Sequence, residues 1–119
     1  MFVNLTPHSV RIVTDPDTNH AIVVPPSGTV ARVGTASRQI ATFGGVPCHT
    51  AVFFDIDFLP PAKPGVRYIA SAQVATRAWK HGRHDVTSPG DLIRDADGNV
   101  TGCRGLVVSG LFQGDDTDV

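Results

Sequence analysis

The chain has 119 residues, 41% of them hydrophobic, with ten Lys and Arg residues against eleven Asp and Glu residues. This length provides one domain with a modest core, and the hydrophobic content is too high for a wholly disordered chain. The formal net charge of −1 argues against a duplex nucleic-acid binder, which needs many uncompensated cations. We expect no membrane partner, because no apolar run reaches the length of a membrane span and the N-terminus lacks the pattern of a secretory signal.

The two cysteines, Cys48 and Cys103, lie far apart in the sequence and form no CxxC motif. This usage favours reduced thiols and a cytoplasmic location, with a single disulfide as the alternative.

The first half of the chain has the pattern of a meander of short strands. Branched residues alternate with polar ones, and turn residues separate the runs, as Gly44-Gly45 does between the last two. The predicted strands are residues 2–5, 9–14, 29–33, 39–42 and 46–56, with a further run around Ala21 and Val23.

The second half begins with a proline-rich connector at residues 59–65, followed by a predicted strand over 66–70. Ser71 then has the properties of an N-cap for a helix over 72–81, which Gly82 ends. Residues 83–90 are predicted as a loop rich in cations, histidine and turn residues. Residues 92–94 and 100–103 flank a hairpin turn at 95–99, and residues 106–111 form a last strand.

These elements predict a single α+β domain over residues 1–113 and an acidic tail over 114–119. Short strands, dense turns and a single principal helix favour a mostly antiparallel, twisted sheet or a partly closed barrel.

Two acidic motifs have alternative interpretations. Asp95 and Asp97 have the spacing that begins a calcium loop, but the glycine comes too early and the last ligand is missing, which favours a hairpin turn. Asp55 and Asp57 have the spacing of a metal-dependent phosphoryl-transfer pair, but no phosphate loop accompanies them, which favours solvated carboxylates at a strand end.

Metal ligation and nucleophilic catalysis also lack a complete signature. His81 and His84 have a plausible zinc-ligand spacing, but they straddle the helix-ending Gly82 and need not share a face. Cys48, Cys103 and Ser71 lack a recognisable activating motif. We therefore expect no catalytic residue, no metal and no cofactor.

The candidate ligand-binding residues lie at turns and at the start of the helix. A helix N-terminus offers N–H groups and partial positive charge to an anion, and Arg side chains bind carboxylate and phosphate oxygens. The candidates are Thr6, His8, Arg32, Ser71, Arg83 and Asp85. For Arg83 and Asp85 the alternative is an ion pair that ties a loop to the body of the domain.

The ordered set of motifs resembles a family of small uncharacterised proteins of actinobacteria, other bacteria and their phages. The resemblance rests on NLTPH at residues 4–8, PPSGTVARV at 25–33, YIAS at 68–71 and RDADGNVTGCRGL at 94–106, and residues 44–59 depart from the family pattern. It implies no activity, but it implies a phage or mobile-element accessory role, in which small proteins modulate host pathways or defence.

Three functional hypotheses follow. The first is a cytoplasmic accessory protein that sequesters a small anionic, nucleotide-derived signalling ligand without catalysis. The second is a protein-interaction module, an inhibitor or a virion component, acting through sheet edges and the apolar run 53–58. The third is a small hydrolase or transferase with His8 or His84 as general base. A homo-oligomer is expected under the first two, because so small a β-rich domain has sheet edges to cover.

Overall fold

The computed structural model describes residues 1–115, which contain eight strands and one helix. Along the chain these are β1 (Phe2–Asn4), β2 (Val10–Asp15), β3 (His20–Val24), β4 (Arg32–Phe43), β5 (Val46–Asp57), β6 (Arg67–Ile69), α1 (Ala72–Lys80), β7 (Val86–Arg94) and β8 (Val100–Val107). Most of the predicted acidic tail, residues 116–119, lies outside the described residues.

Six strands form one curled sheet in the order β1-β6-β7-β8-β2-β3. A bridge between Asn4 and Pro26 brings the two edges of this sheet together, so that the sheet forms a half-barrel. The predicted α+β class with one principal helix is therefore confirmed.

The half-barrel also agrees with the predicted partly closed barrel, but the sheet is mixed rather than mostly antiparallel. Pairs β7–β8 and β2–β3 are antiparallel, whereas β1–β6, β6–β7 and β2–β8 are parallel. The helix α1 is the crossover that lets β6 and β7 run in the same direction. Turn residues in the sequence indicate hairpins, which are antiparallel. Parallel strands are joined by long connections, so no short turn motif in the sequence indicates that they pair.

The helix packs its apolar face onto this sheet. Val74, Ala75 and Ala78 are buried at helical spacing, and the two small alanines allow close approach to the strands. Trp79 covers the end of the contact and donates its indole N–H to the Val86 carbonyl at 2.7 Å. The helix ends at Lys80, one residue before the predicted end.

Strand β7 occupies residues 86–90 of the predicted loop 83–90, so the loop prediction is wrong for those five residues. Val86 and Thr87 are fully buried and pair with Tyr68 and Ile69 of β6. The sequence analysis did not predict this strand because Pro89 lies within it, and proline cannot donate a backbone hydrogen bond to a neighbouring strand. The sheet accommodates Pro89 because it lies beyond the β6 pairing, where β7 pairs with β8.

Two other predicted strands have different limits. The strand expected over residues 29–33 begins only at Arg32, as the start of β4. Strand β8 runs without a break to Val107, so it joins the predicted strand 100–103 to the first part of the predicted strand 106–111.

Strands β4 and β5 form a separate two-stranded sheet, which we call the arm. A tight turn joins them at Gly44 and Gly45, whose φ angles of 58° and 80° favour glycine. The arm extends from the body, since the radius of gyration is 17.2 Å and the longest dimension is 56 Å. A compact domain of about 100 residues has a radius of gyration of only about 13 Å.

The side chain of Asn4 closes the half-barrel. Asn4 is 1% exposed, and its amide nitrogen donates to the carbonyls of His8 at 2.7 Å and Val24 at 3.0 Å. Its amide oxygen accepts from the Thr6 N–H at 2.9 Å and the Thr6 hydroxyl at 2.7 Å. One buried side chain thus links β1, the loop after it and the end of β3.

We predict that Asn4→Ala lowers the free energy of unfolding by about 2–3 kcal/mol, because it leaves buried backbone groups without partners. Chemical denaturation measures this loss. The control is Thr18→Ala, at an exposed turn position, which should change stability by less than about 0.5 kcal/mol. Equal stability of the two variants would contradict the role of Asn4.

Candidate functional site

The N-terminus of α1 is capped as predicted. Ser71 has extended backbone angles, and its hydroxyl oxygen accepts the Val74 N–H at 3.3 Å. The first turn contains no acidic residue, so no carboxylate offsets the partial positive charge at this end of the helix.

A cleft of about 260 Å³ lies beside this N-terminus. It is lined by the loop after β1, the segment that leads into β4 and the first turn of α1, through Leu5, Thr6, Pro7, Val30, Ala31, Arg32, Val33, Ser71, Gln73 and Val74. Three of the predicted ligand-binding residues, Thr6, Arg32 and Ser71, therefore line one cleft although they are distant in sequence.

Backbone hydrogen bonds on both sides of Leu5 assemble the cleft. The Leu5 N–H donates to the Ile69 carbonyl at 2.7 Å, which positions the loop next to the strand that leads into Ser71. The Leu5 carbonyl accepts the Ala31 N–H at 3.1 Å, which positions the residue before Arg32. The buried Leu5 side chain belongs to the main core, so the floor of the cleft is continuous with that core.

The three predicted residues differ in what they offer a ligand. The Thr6 hydroxyl donates its proton to the Asn4 amide oxygen. It can therefore accept a hydrogen bond from a ligand but has no free proton to donate to one. Arg32 is exposed at the start of β4 and provides a permanent positive charge. Ser71 marks the position of the helix N-terminus.

The other three predicted residues lie outside this cleft. His8 is exposed, and its backbone carbonyl, rather than its imidazole, contacts the Asn4 side chain. Arg83 and Asp85 follow the C-terminal end of α1, and they line two other depressions in the surface.

Arg83 and Asp85 form a structural ion pair. The Arg83 guanidinium contacts both carboxylate oxygens of Asp85, at 3.0 and 3.1 Å, and also donates to the Pro60 carbonyl at 2.8 Å. It lies 5.9 Å from the centre of the Tyr68 ring. These contacts tie the proline-rich connector to the body, which was the alternative interpretation of the two residues.

Seven of the ten lining residues were not selected by the sequence analysis, and Gln73 and Val33 are two of them. Gln73 could have been selected from the sequence, because it lies in the first turn of a capped helix. An exposed side chain at that position is next to any ligand bound at the helix N-terminus. Both residues also line a second groove, of about 340 Å³, together with Phe53, Ala72, Thr76, Arg77 and Lys80.

This second groove lies between α1 and the base of the arm. Phe53 forms its arm side and is 47% exposed, whereas Arg77 and Lys80 lie on its helix side. The Arg77 Nε is buried and has no hydrogen-bond partner among residues 1–115. The cleft and this groove share Val33 and Gln73 in their linings, and side by side they present Arg charges and an exposed aromatic ring.

His84, one of the two candidate general bases, contacts a serine that the sequence analysis did not select. Its Nδ1 lies 2.8 Å from the Ser109 hydroxyl, which also accepts the Leu111 N–H at 3.3 Å. Within the described part of the chain, no acidic side chain hydrogen-bonds to the other ring nitrogen of His84, so the pair lacks the orienting group of a catalytic triad.

The other chemical motifs form local structure. Asp95 Oδ1 accepts the N–H groups of Asp97 and Asn99, as in a hairpin turn. Both cysteines are free thiols, with Cys103 buried. Residues 1–115 contain no cluster of three His, Cys, Asp or Glu side chains placed to hold a metal ion. No helix in the same range has the length and apolar character needed to cross a bilayer.

No protein-family model, curated protein sequence or solved structure matches this chain. The candidate site is therefore interpreted from its own geometry.

We predict that Arg83→Ala lowers the free energy of unfolding by about 1–2 kcal/mol, because it leaves the partly buried Asp85 carboxylate and the Pro60 carbonyl without their donor. Arg83→Lys should not restore this stability, since an ammonium group lacks the planar fork that reaches both partners.

The matched control is Arg104→Ala, which removes an exposed ion pair in which the Arg104 guanidinium lies 3.5 Å from the Asp91 carboxylate. Its loss should be below about 0.5 kcal/mol. If thermal and chemical denaturation show equal effects for the two alanine variants, the Arg83 pair does not hold the connector.

Proposed function

We propose that this protein binds a small anionic, nucleotide-derived ligand in the cleft at the N-terminus of α1 and sequesters it without catalysis. The observation that carries this proposal is the convergence of Arg32, Ser71 and the helix N-terminus on one cleft from two distant parts of the chain. Polar groups that converge on one concave cleft are typical of small-ligand sites.

The cleft supports binding of the anionic end of such a ligand. The N–H groups of a helix N-terminus point along the helix axis and favour negative charge, as phosphate sites in many folds do. Arg32 adds a guanidinium that matches the oxygens of a phosphate group. With no acidic residue in the first turn of α1, an anion there meets no carboxylate of the helix itself.

The adjoining groove supports binding of the rest of a nucleotide. Phe53 exposes an aromatic ring on which a base can stack, and Val33 extends the apolar wall. Arg77 and Lys80 provide charge for a second phosphate, as in dinucleotides or ADP-ribose derivatives. The groove, at about 340 Å³, lies within the volume range of small-ligand sites, about 300–1,000 Å³, and the cleft, at about 260 Å³, lies just below it.

The biological setting of this proposal rests on the resemblance to small bacterial and phage proteins. In that setting the protein acts in the host cytoplasm as an accessory factor and lowers the free concentration of a signalling nucleotide used in defence. Sequestration needs a tight site and no reaction.

A second candidate function is protein interaction, and the arm favours it. Ile40, Phe43 and Val46, at or near the tip of the arm, are 62%, 82% and 61% exposed. Exposed apolar side chains clustered on one extension are characteristic of an interface.

We predict that Arg32→Ala weakens binding of the anionic ligand by about 10- to 100-fold, the loss of a charge-assisted hydrogen bond. A thermal-shift screen of nucleotides, cyclic nucleotides and ADP-ribose derivatives identifies the ligand, and calorimetry measures its affinity. Mass spectrometry of the released ligand should show it chemically unchanged.

The matched control is Arg38→Ala, on the same strand but outside the lining of the cleft, which should retain the wild-type affinity. Equal affinities of Arg32→Ala and wild type would place the ligand elsewhere. If no anionic compound binds, the proposed function fails and the interaction hypothesis replaces it.

A further inference from the structure

The groove between α1 and the arm contains two cations and no carboxylate. Arg77 and Lys80 lie on its helix side, and no residue of α1 is acidic. The lining of the groove includes no Asp or Glu either. Like charges on neighbouring positions of one helix face repel one another, so an anion bound beside both cations removes an unfavourable interaction.

Arg77 has no partner within the described part of the chain. Its Nε is buried without a hydrogen bond, and no hydrogen bond or ion pair in residues 1–115 involves the other nitrogens of its guanidinium. Arg83 differs, because its guanidinium is held by the Pro60 carbonyl and a carboxylate. The Arg77 guanidinium can therefore turn towards a ligand without losing an internal hydrogen bond, and the ligand then supplies an acceptor that the protein does not.

The rise of the helix sets the spacing between Arg77 and the cleft at the N-terminus of α1. Arg77 follows the N-cap Ser71 by six residues, which is about 9 Å along the helix axis. An arginine side chain on a helix leans towards the N-terminus and shortens this separation, but Gln73 lies between the two positions and lines both depressions. The two phosphates of a diphosphate share one bridging oxygen, so they are closer together than these two places.

Phe53, on the arm side of the groove, provides a surface for a nucleobase. Its side chain is 47% exposed. Stacking of a base on an aromatic ring does not depend on which base is present. The groove therefore combines a stacking surface with the unpaired guanidinium of Arg77, and it adjoins the cleft in which the first phosphate is proposed to bind.

We propose that the ligand carries a phosphate on each side of its nucleoside, and that Arg77 binds the second phosphate and selects for it. This inference rests on the proposed function, because the first phosphate is the one bound at Arg32 and the N-terminus of α1. The base stacks on Phe53, and Lys80 adds positive charge beside Arg77. Nucleoside bisphosphates and phosphorylated linear dinucleotides have this arrangement, whereas the adjacent phosphates of ADP or ADP-ribose do not.

The position of Arg77 and Lys80 on the helix has a second physical consequence. Both lie in the last turn of α1, where cations stabilise a helix by interacting with its C-terminal carbonyl groups. A role confined to the helix end predicts that Arg77→Gln lowers stability and leaves nucleotide affinity unchanged. Binding by Arg77 predicts instead that this variant loses affinity for one class of nucleotide, so stability and affinity are measured on the same variant.

Calorimetry with three adenine nucleotides tests the proposal. Adenosine 3′,5′-bisphosphate should bind the wild-type chain about 10-fold or more tightly than ADP, since it gains a charge-assisted hydrogen bond at Arg77. The two compounds have the same base and the same number of phosphates, so only the placement of the phosphates differs. AMP should bind with an affinity close to that of ADP.

Four variants assign the preference to its residues. Arg77→Gln should lower the affinity for the bisphosphate to that for ADP, and circular dichroism verifies that it is folded. Arg32→Ala should weaken all three nucleotides. Phe53→Ala should also weaken all three, by about 5- to 100-fold, and keep the preference for the bisphosphate. The matched control Arg38→Gln, on the arm but outside both linings, should bind like the wild type.

Equal wild-type affinities for the bisphosphate and ADP, with both lowered by Arg32→Ala, would overturn the inference and leave the proposed function standing. A preference for the bisphosphate that survives Arg77→Gln would overturn it as well. If none of the three nucleotides binds, the inference fails, and the thermal-shift screen decides the proposed function separately.

Discussion

The hydrogen bonds of the Asn4 side chain are the constraint on which the rest of this structure depends. A curled sheet of six strands has two edges, and here they meet where Asn4, on edge strand β1, donates to the Val24 carbonyl at the end of the other edge strand, β3. The next residue, Leu5, then bonds to the strand before Ser71 and to the segment before Arg32. The bonds that close the half-barrel and the bonds that assemble the candidate cleft therefore come from two adjacent residues.

The parts of the fold that the sequence predicts are those encoded by neighbouring residues. The helix, its cap at Ser71 and the hairpin turn at residues 95–99 depend on side chains within a few positions of one another. The parallel pairs of the sheet depend on segments far apart in the chain, which carry no local mark. Strand β7 was missed for a related reason, since Pro89 is compatible with a strand only where one neighbouring strand has ended.

Of the six candidate ligand-binding residues, only Thr6, Arg32 and Ser71 line the cleft. Arg32 was selected because it is a cation and Ser71 because it can cap a helix. Both properties can be read from the local sequence and do not depend on the rest of the fold. Arg83 has the same chemistry as Arg32, but a carbonyl from the distant Pro60 and the nearby Asp85 occupy its guanidinium. Only the fold distinguishes an arginine that is satisfied internally from one that is available to a ligand.

The parallel pairing of β1 with β6 also constrains the order of events during synthesis. Residues 2–4 pair with residues 67–69, so β1 has no neighbouring strand in the sheet until β6 has been translated. The arm, by contrast, closes around a two-residue turn and can form as soon as β5 is complete. The nascent chain therefore carries a formed extension on an open body, and the barrel closes only after the centre of the sheet has been supplied.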